Sequence, residues 1–152
     1  RDRDESFPDV MNYVENHYKV AKDKAHRAIC GLSMGGGHSF DISRRFPTKF
    51  DYIGLFSAGL HVSTTGDFRN DFYKQLQGNE EAKTQLATLF KNKPKLYWIG
   101  MGKTDFLYKS SADLRRYFDE KGYKYTYLET EGGHIWRNWR VYLTEFAQKI
   151  FK

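Results

Sequence analysis

Apolar positions along this chain follow two alternating patterns. Four short, nearly continuous apolar runs, His26–Leu32, Tyr52–Ser57, Lys95–Met101 and Tyr125–Leu128, read as strands. Around them, apolar residues recur three and four apart, as on one face of a helix. Phe7, Val10, Met11, Val14 and Tyr18 predict a first helix, with Ser6 able to cap it and Pro8 suited to its first turn. Met34–Arg45 predicts a second, stopped by Pro47, and Asp71–Phe90 one or two more, broken near Gly78-Asn79. Leu114, Tyr117 and Phe118 define the inward face of a helix over Ser110–Lys121, ended by Gly122. Trp139, Leu143, Phe146 and Ile150 do the same for a last helix over Trp136–Phe151. Val62 to Asn70 is dominated by polar turn residues and reads as a loop.

Strands alternating with helices mean βαβ units and a parallel sheet, so the fold class is α/β. Right-handed crossovers bring the C-terminal ends of the strands to one edge, where open α/β sheets bind their ligands. With 152 residues the chain holds one domain at most. Its net charge of +6 comes from Lys and Arg interleaved with Asp and Glu, without a block of five like charges or a nucleic-acid motif. A solvated, mildly basic surface follows, and no nucleic-acid partner. A single cysteine, Cys30, excludes a disulfide within the chain and argues against a metal cluster; on an apolar strand it is expected to be a small buried hydrophobe. No apolar stretch approaches the roughly 20 residues that span a bilayer. No secretion signal is visible, but the chain starts at Arg1 rather than Met, which leaves secretion open.

The chemistry centres on Gly31-Leu32-Ser33-Met34-Gly35, a G-x-S-x-G pattern set between a predicted strand and a predicted helix. A sharp turn there leaves the Ser33 hydroxyl exposed, and glycines two residues to either side remove side chains that would collide. A serine needs a base, and the base needs an orienting carboxylate. In the order Ser, acid, His, the chain offers Asp105, in the loop Gly102-Lys103-Thr104-Asp105, and His134, after Gly132-Gly133. Asp113 is the runner-up acid, although it falls on a helix; Glu131 is uncomfortably near His134 in sequence, and Asp67 and Asp71 belong to a loop segment. The Met34 backbone N–H is the expected oxyanion donor, at the start of a helix. His61, after the second strand, could line a substrate site. His17 and His26 read as surface residues and His38 as packed. Trp136 could line a sugar subsite or anchor the last helix, and Trp139 reads as an anchor.

With Phe50-Asp51-Tyr52-Ile53-Gly54, Phe56-Ser57-Ala58, Gly102-Lys103-Thr104-Asp105 and Gly132-Gly133-His134-Ile135-Trp136 added to the elbow, the chain resembles the feruloyl-esterase branch of the esterase D superfamily. The resemblance covers nearly the whole chain, least so from His61 to Lys93. It implies an α/β-hydrolase-type parallel sheet with flanking helices, with Ser33, Asp105 and His134 as nucleophile, acid and base and no cofactor. It implies hydrolysis of ferulic or related cinnamic esters on arabinose side chains of xylan, in a secreted or periplasmic setting. S-formylglutathione hydrolases, siderophore esterases and mycolyltransferases share a similar elbow, which does not separate them. A non-catalytic module derived from the fold is a further alternative. Family domains carry roughly a hundred more residues upstream, in line with single-domain α/β sizes. Residues 1–152 are therefore expected to form the C-terminal part of an esterase domain, with its first strands and second oxyanion donor lying before Arg1. On its own this part is expected to be weak or inactive, and its sheet edge to be covered by a second copy or by the missing half.

Overall fold

The computed structural model describes residues 23–150. The helix expected over Phe7–Tyr18 lies outside them. The described chain runs β1 (Ala28–Leu32), α1 (Met34–Arg45), β2 (Tyr52–Phe56), α2 (Phe72–Gln77), α3 (Glu80–Lys91), β3 (Leu96–Gly102), α4 (Tyr108–Lys121), β4 (Thr126–Thr130) and α5 (Trp136–Lys149). His26, expected in the first strand, instead ends a short 3₁₀ turn over Lys24–His26.

The four strands are parallel and lie in sequence order, β1-β2-β3-β4. Each step across the sheet goes the same way. Right-handed crossovers must then place every connecting helix on one face. The larger core forms there, from Ile53, Leu55, Tyr97 and Ile99 of the strands against Phe40 of α1, Leu76 of α2, Leu86 and Leu89 of α3, and Leu114 and Phe118 of α4. The break between α2 and α3 falls at Gly78-Asn79 as the sequence suggests, because the Asn79 side chain accepts the Ala82 N–H at 2.9 Å and starts a new helix.

The opposite face receives α5. Strand side chains alternate, so Tyr52, Phe56 and Trp98 point to this side and pack on Tyr142 and Phe146. The buried face of α5 is therefore Asn138, Tyr142 and Phe146, four apart, whereas Leu143, expected inside, is 54% exposed. The reason is shape: Gly100 has no side chain, and a Cβ there would lie 2.8 Å from the Tyr142 ring, so that ring fills the hollow.

Cys30 sits in a row with Gly54 and Trp98 across β1, β2 and β3. It shares the α5 side of the sheet, but α5 packs over β2 and β3. Cys30 on the outer strand is thus exposed, contrary to the expectation of burial. β1 and β4 are the sheet's two outer strands among the described residues.

Candidate active site

Three loops at the C-terminal ends of β1, β3 and β4 bring Ser33, Asp105 and His134 together. His134 Nε2 lies 2.9 Å from Ser33 Oγ, and His134 Nδ1 lies 2.9 Å from Asp105 Oδ2. The residues are separated by 101 and 29 positions in the chain, and one imidazole bridges both.

Ser33 holds a backbone that side chains rarely adopt, with φ 52° and ψ −112°. Such a conformation costs on the order of 1–3 kcal/mol and persists only where the surroundings over-determine it. Here the Ser33 N–H donates to Phe56 O at 2.8 Å, while its carbonyl accepts from Gly37 N–H at 3.2 Å and Gly59 N–H at 3.1 Å. The chain folds back so tightly that a Cβ at Gly31 would lie 2.2 Å from Gly35 O. The two glycines are not equivalent, however, because a Cβ at Gly35 would meet nothing within 4 Å. Ser33 caps α1, so the Met34 N–H belongs to the first turn, whose N–H groups have no carbonyl four residues back. That N–H and the helix dipole both favour negative charge beside Ser33.

The Asp105 side chain is fully buried. Its Oδ1 accepts the Leu107 N–H at 2.8 Å, which leaves Oδ2 facing the imidazole. The other acids have different work. Asp113 accepts the Tyr73 N–H and pairs with Lys109, Glu131 pairs with Lys103, Asp67 pairs with Arg69, and Asp71 caps α2.

The His134 loop is bound to the Asp105 loop backbone to backbone. Lys103 N–H donates to Thr130 O at 2.8 Å and Thr104 N–H to Gly132 O at 3.0 Å. Gly102 makes this approach possible, since a Cβ there would stand 2.4 Å from Gly132 O and 3.0 Å from Gly133 O. Asn138, buried on α5, donates from Nδ2 to Gly133 O at 3.0 Å. The imidazole itself stands edge-to-face with two rings, Phe106 and Trp139, each 4.9 Å away between centroids. Trp139 is fixed in turn by Nε1 donating to Ser57 Oγ at 3.1 Å. Ser57 is fully buried and, like Ser33, has a positive φ, 47°.

Gly102 and Ser57 stand among the sequence motifs without a role of their own, Asn138 is not singled out there, and Trp139 reads only as an anchor. The two strand-end glycine and serine signals, Gly102 at the close of β3 and Ser57 just past β2, were the available clues. Of the proposed substrate contacts, Trp136 is 64% exposed and its ring lies 6.2 Å from Trp139. His61 is exposed, in the loop after β2. Met34 (70% exposed), Phe106 (77%) and Ile135 (39%) each directly follow a member of the Ser-Asp-His set in the chain.

Among the described residues, no group of three or more His, Cys, Asp or Glu side chains could hold a metal ion, and no helix is long and apolar enough to cross a membrane.

Residues 8–150 match the family described as "Putative esterase". The chain is 25% identical over 164 residues to an acetyl esterase of Caldicellulosiruptor saccharolyticus, covering 95% of this chain and 61% of that enzyme. It is 29% identical over 148 residues to an endo-1,4-beta-xylanase/feruloyl esterase of Xylanibacter ruminicola, covering 95% of this chain and 17% of that protein. Among solved structures it resembles a ferulic acid esterase with a TM-score of 0.70 and 25% identity, over 93% of this chain and 58% of that one. The chain thus spans about three-fifths of the length of the acetyl esterase and of the solved ferulic acid esterase. On its sequence match and its α/β-hydrolase-type sheet with flanking helices, the chain belongs to this esterase family.

Proposed function

We propose that this chain carries the reacting centre of a serine carboxylic-ester hydrolase that releases ferulic or related cinnamic acids from acylated plant polysaccharide. The observation that carries the reading is the single imidazole hydrogen-bonded at once to the Ser33 hydroxyl and the buried Asp105 carboxylate. In this mechanism Ser33 Oγ attacks the ester carbonyl while His134 Nε2 takes its proton. Asp105 fixes the tautomer that leaves Nε2 free to accept, and stabilises the imidazolium once formed. The Met34 N–H receives the developing oxyanion. His134 then protonates the departing alcohol, and water repeats the sequence on the acyl-enzyme.

An aromatic acyl group is supported by the exposed apolar side chains beside each reacting residue: Met34, Phe106, Ile135 and Trp136. Exposed apolar groups gathered at a reactive edge suit an apolar ligand better than water. The similarity to a xylanase/feruloyl esterase points the same way, and a polysaccharide substrate implies a secreted or periplasmic site of action. A second reading, removal of acetyl groups, is favoured by the similarity to an acetyl esterase. Hydrolysis of methyl ferulate and of 4-nitrophenyl acetate by the full-length protein, wild type beside Ser33→Ala, tests both. Ser33→Ala should lower kcat by at least roughly 10⁴-fold on whichever ester is the substrate. A variant as active as wild type would end the proposal, and a preference for the acetate would shift it to the second reading.

A further inference from the structure

One buried titratable group has no part in the mechanism above, the hydroxyl of Tyr142. Tyr142 is fully buried on α5, its ring against Phe56 and Trp98. Filling the hollow over Gly100 needs only the ring, which phenylalanine would also supply. A hydroxyl in apolar surroundings is costly unless it is bonded. This one is bonded on two sides. Its oxygen lies 2.6 Å from Thr130 Oγ1, and it shares a hydrogen bond with the Ser57 hydroxyl. Burial pushes its pKa up, so it stays protonated wherever the imidazole can act as a base.

The inventory of donors and acceptors gives this chain of bonds a direction. An indole N–H can only donate. Trp139 Nε1 therefore gives its proton to Ser57 Oγ at 3.1 Å, which leaves the Ser57 proton for the Tyr142 oxygen and the Tyr142 proton for Thr130 Oγ1. Both ends of the chain bear on His134. Trp139 stands edge-to-face with the imidazole at 4.9 Å. Thr130 closes β4, where the His134 loop departs, and its carbonyl accepts the Lys103 N–H of the Asp105 loop at 2.8 Å. Phe106, on the other ring contact of the imidazole, is 77% exposed and has no hydrogen bond to fix its ring. The firm wall beside the imidazole is thus Trp139. Ser57 holds φ 47° where it meets that indole, and such a backbone persists only where the surroundings over-determine it.

We propose that the Tyr142 hydroxyl is a positioning group for His134, joining the base of the histidine loop to the indole that sets the imidazole. The inference rests on the esterase reading. Tyr142→Phe in the full-length protein keeps the ring and removes the junction. The readout is kcat/KM on two esters. Methyl ferulate loses methanol only when His134 protonates it, whereas 4-nitrophenyl ferulate loses its phenolate without that proton. A displaced imidazole delivers the proton poorly, so the methyl-to-nitrophenyl ratio should fall about fivefold, a part of the roughly 10²–10⁴ that general acid–base catalysis supplies. A smaller folded fraction would lower both rates alike and leave the ratio unchanged. A wild-type ratio in Tyr142→Phe would overturn the proposal. Should that variant fail to fold, Thr130→Val, which removes the acceptor and keeps the shape, must lower the same ratio, and a wild-type ratio there would overturn it equally. Labelling of Ser33 by a fluorophosphonate keeps the two readings apart. A full-length wild type that labels but cleaves neither ester overturns the substrate assignment, and the junction then stands or falls on whether Tyr142→Phe slows labelling about tenfold. A wild type that neither labels nor cleaves overturns the esterase reading and the junction with it.

Discussion

Substituting Gly102 by alanine adds one methyl group at the crossing of the Asp105 and His134 loops. A Cβ at that position would lie 2.4 Å from Gly132 O, whereas ordinary contact begins near 3.4 Å, so the two loops must part by about 1 Å. The obstacle is backbone, held by the Thr104 N–H to Gly132 O bond and by Asn138 on Gly133 O, so no side chain can turn aside. Overpacking of this kind costs about 1–3 kcal/mol. For a chain of this size that corresponds to a Tm lowered by roughly 2–12 °C. The catalytic effect should be larger, because a displacement of about 1 Å in a reacting group can cost on the order of 10²-fold. The loop that moves carries His134, which would retreat from Ser33 Oγ, Asp105 or both. The assay is the second-order rate of Ser33 labelling by a fluorophosphonate, measured well below the lowered Tm, beside ester hydrolysis. Labelling and hydrolysis should fall together by about 10²-fold. Wild-type labelling in a folded Gly102→Ala protein would refute the claim that this close approach sets the imidazole.

Trp139→Leu removes one of the two rings flanking His134 and leaves the Ser57 hydroxyl without its donor; kcat should fall several-fold with KM little changed, and Trp139→Phe, which keeps a ring, should recover part of the loss. Equal kcat for Trp139→Leu and wild type would count against a positioning role. Glu129 accepts hydroxyl bonds from Tyr108 at 2.6 Å and Tyr127 at 2.8 Å, which hold its carboxyl below the usual carboxylate range. A depressed folded-state value stabilises the fold above the unfolded value of about 4.3 and is lost as pH falls through the folded value. The Tm gap between wild type and Glu129→Gln should therefore narrow on going from about pH 6 to about pH 3; a gap independent of pH would remove Glu129 from the acid response.

The convergence of Ser33, Asp105 and His134 was legible because its signals are local. Gly31-x-Ser33 marks a strand-to-helix turn, and Asp105 and His134 each follow a strand within a few residues. A parallel sheet then makes their meeting a matter of topology. Helix α4 was readable for a similar reason: Leu114, Tyr117 and Phe118 are all buried, so its stripe alone defines its inner face. α5 was misread because its stripe is ambiguous; Leu143 and Tyr142 are neighbours, and the choice between them is made by Gly100 on a distant strand. Cys30 was misplaced because an apolar strand says nothing about which faces a later helix will cover. Gly102, Asn138 and Ser57 act on backbone or side chains far along the chain, and no spacing rule reports such contacts.

The most direct test is mass spectrometry of the full-length protein after reaction with a fluorophosphonate. One adduct is expected, on the peptide containing Ser33, formed quickly in wild type and slowed by orders of magnitude in His134→Ala. An adduct on another serine, or equal labelling with and without the imidazole, would contradict the assignment of Ser33 as a nucleophile activated by His134.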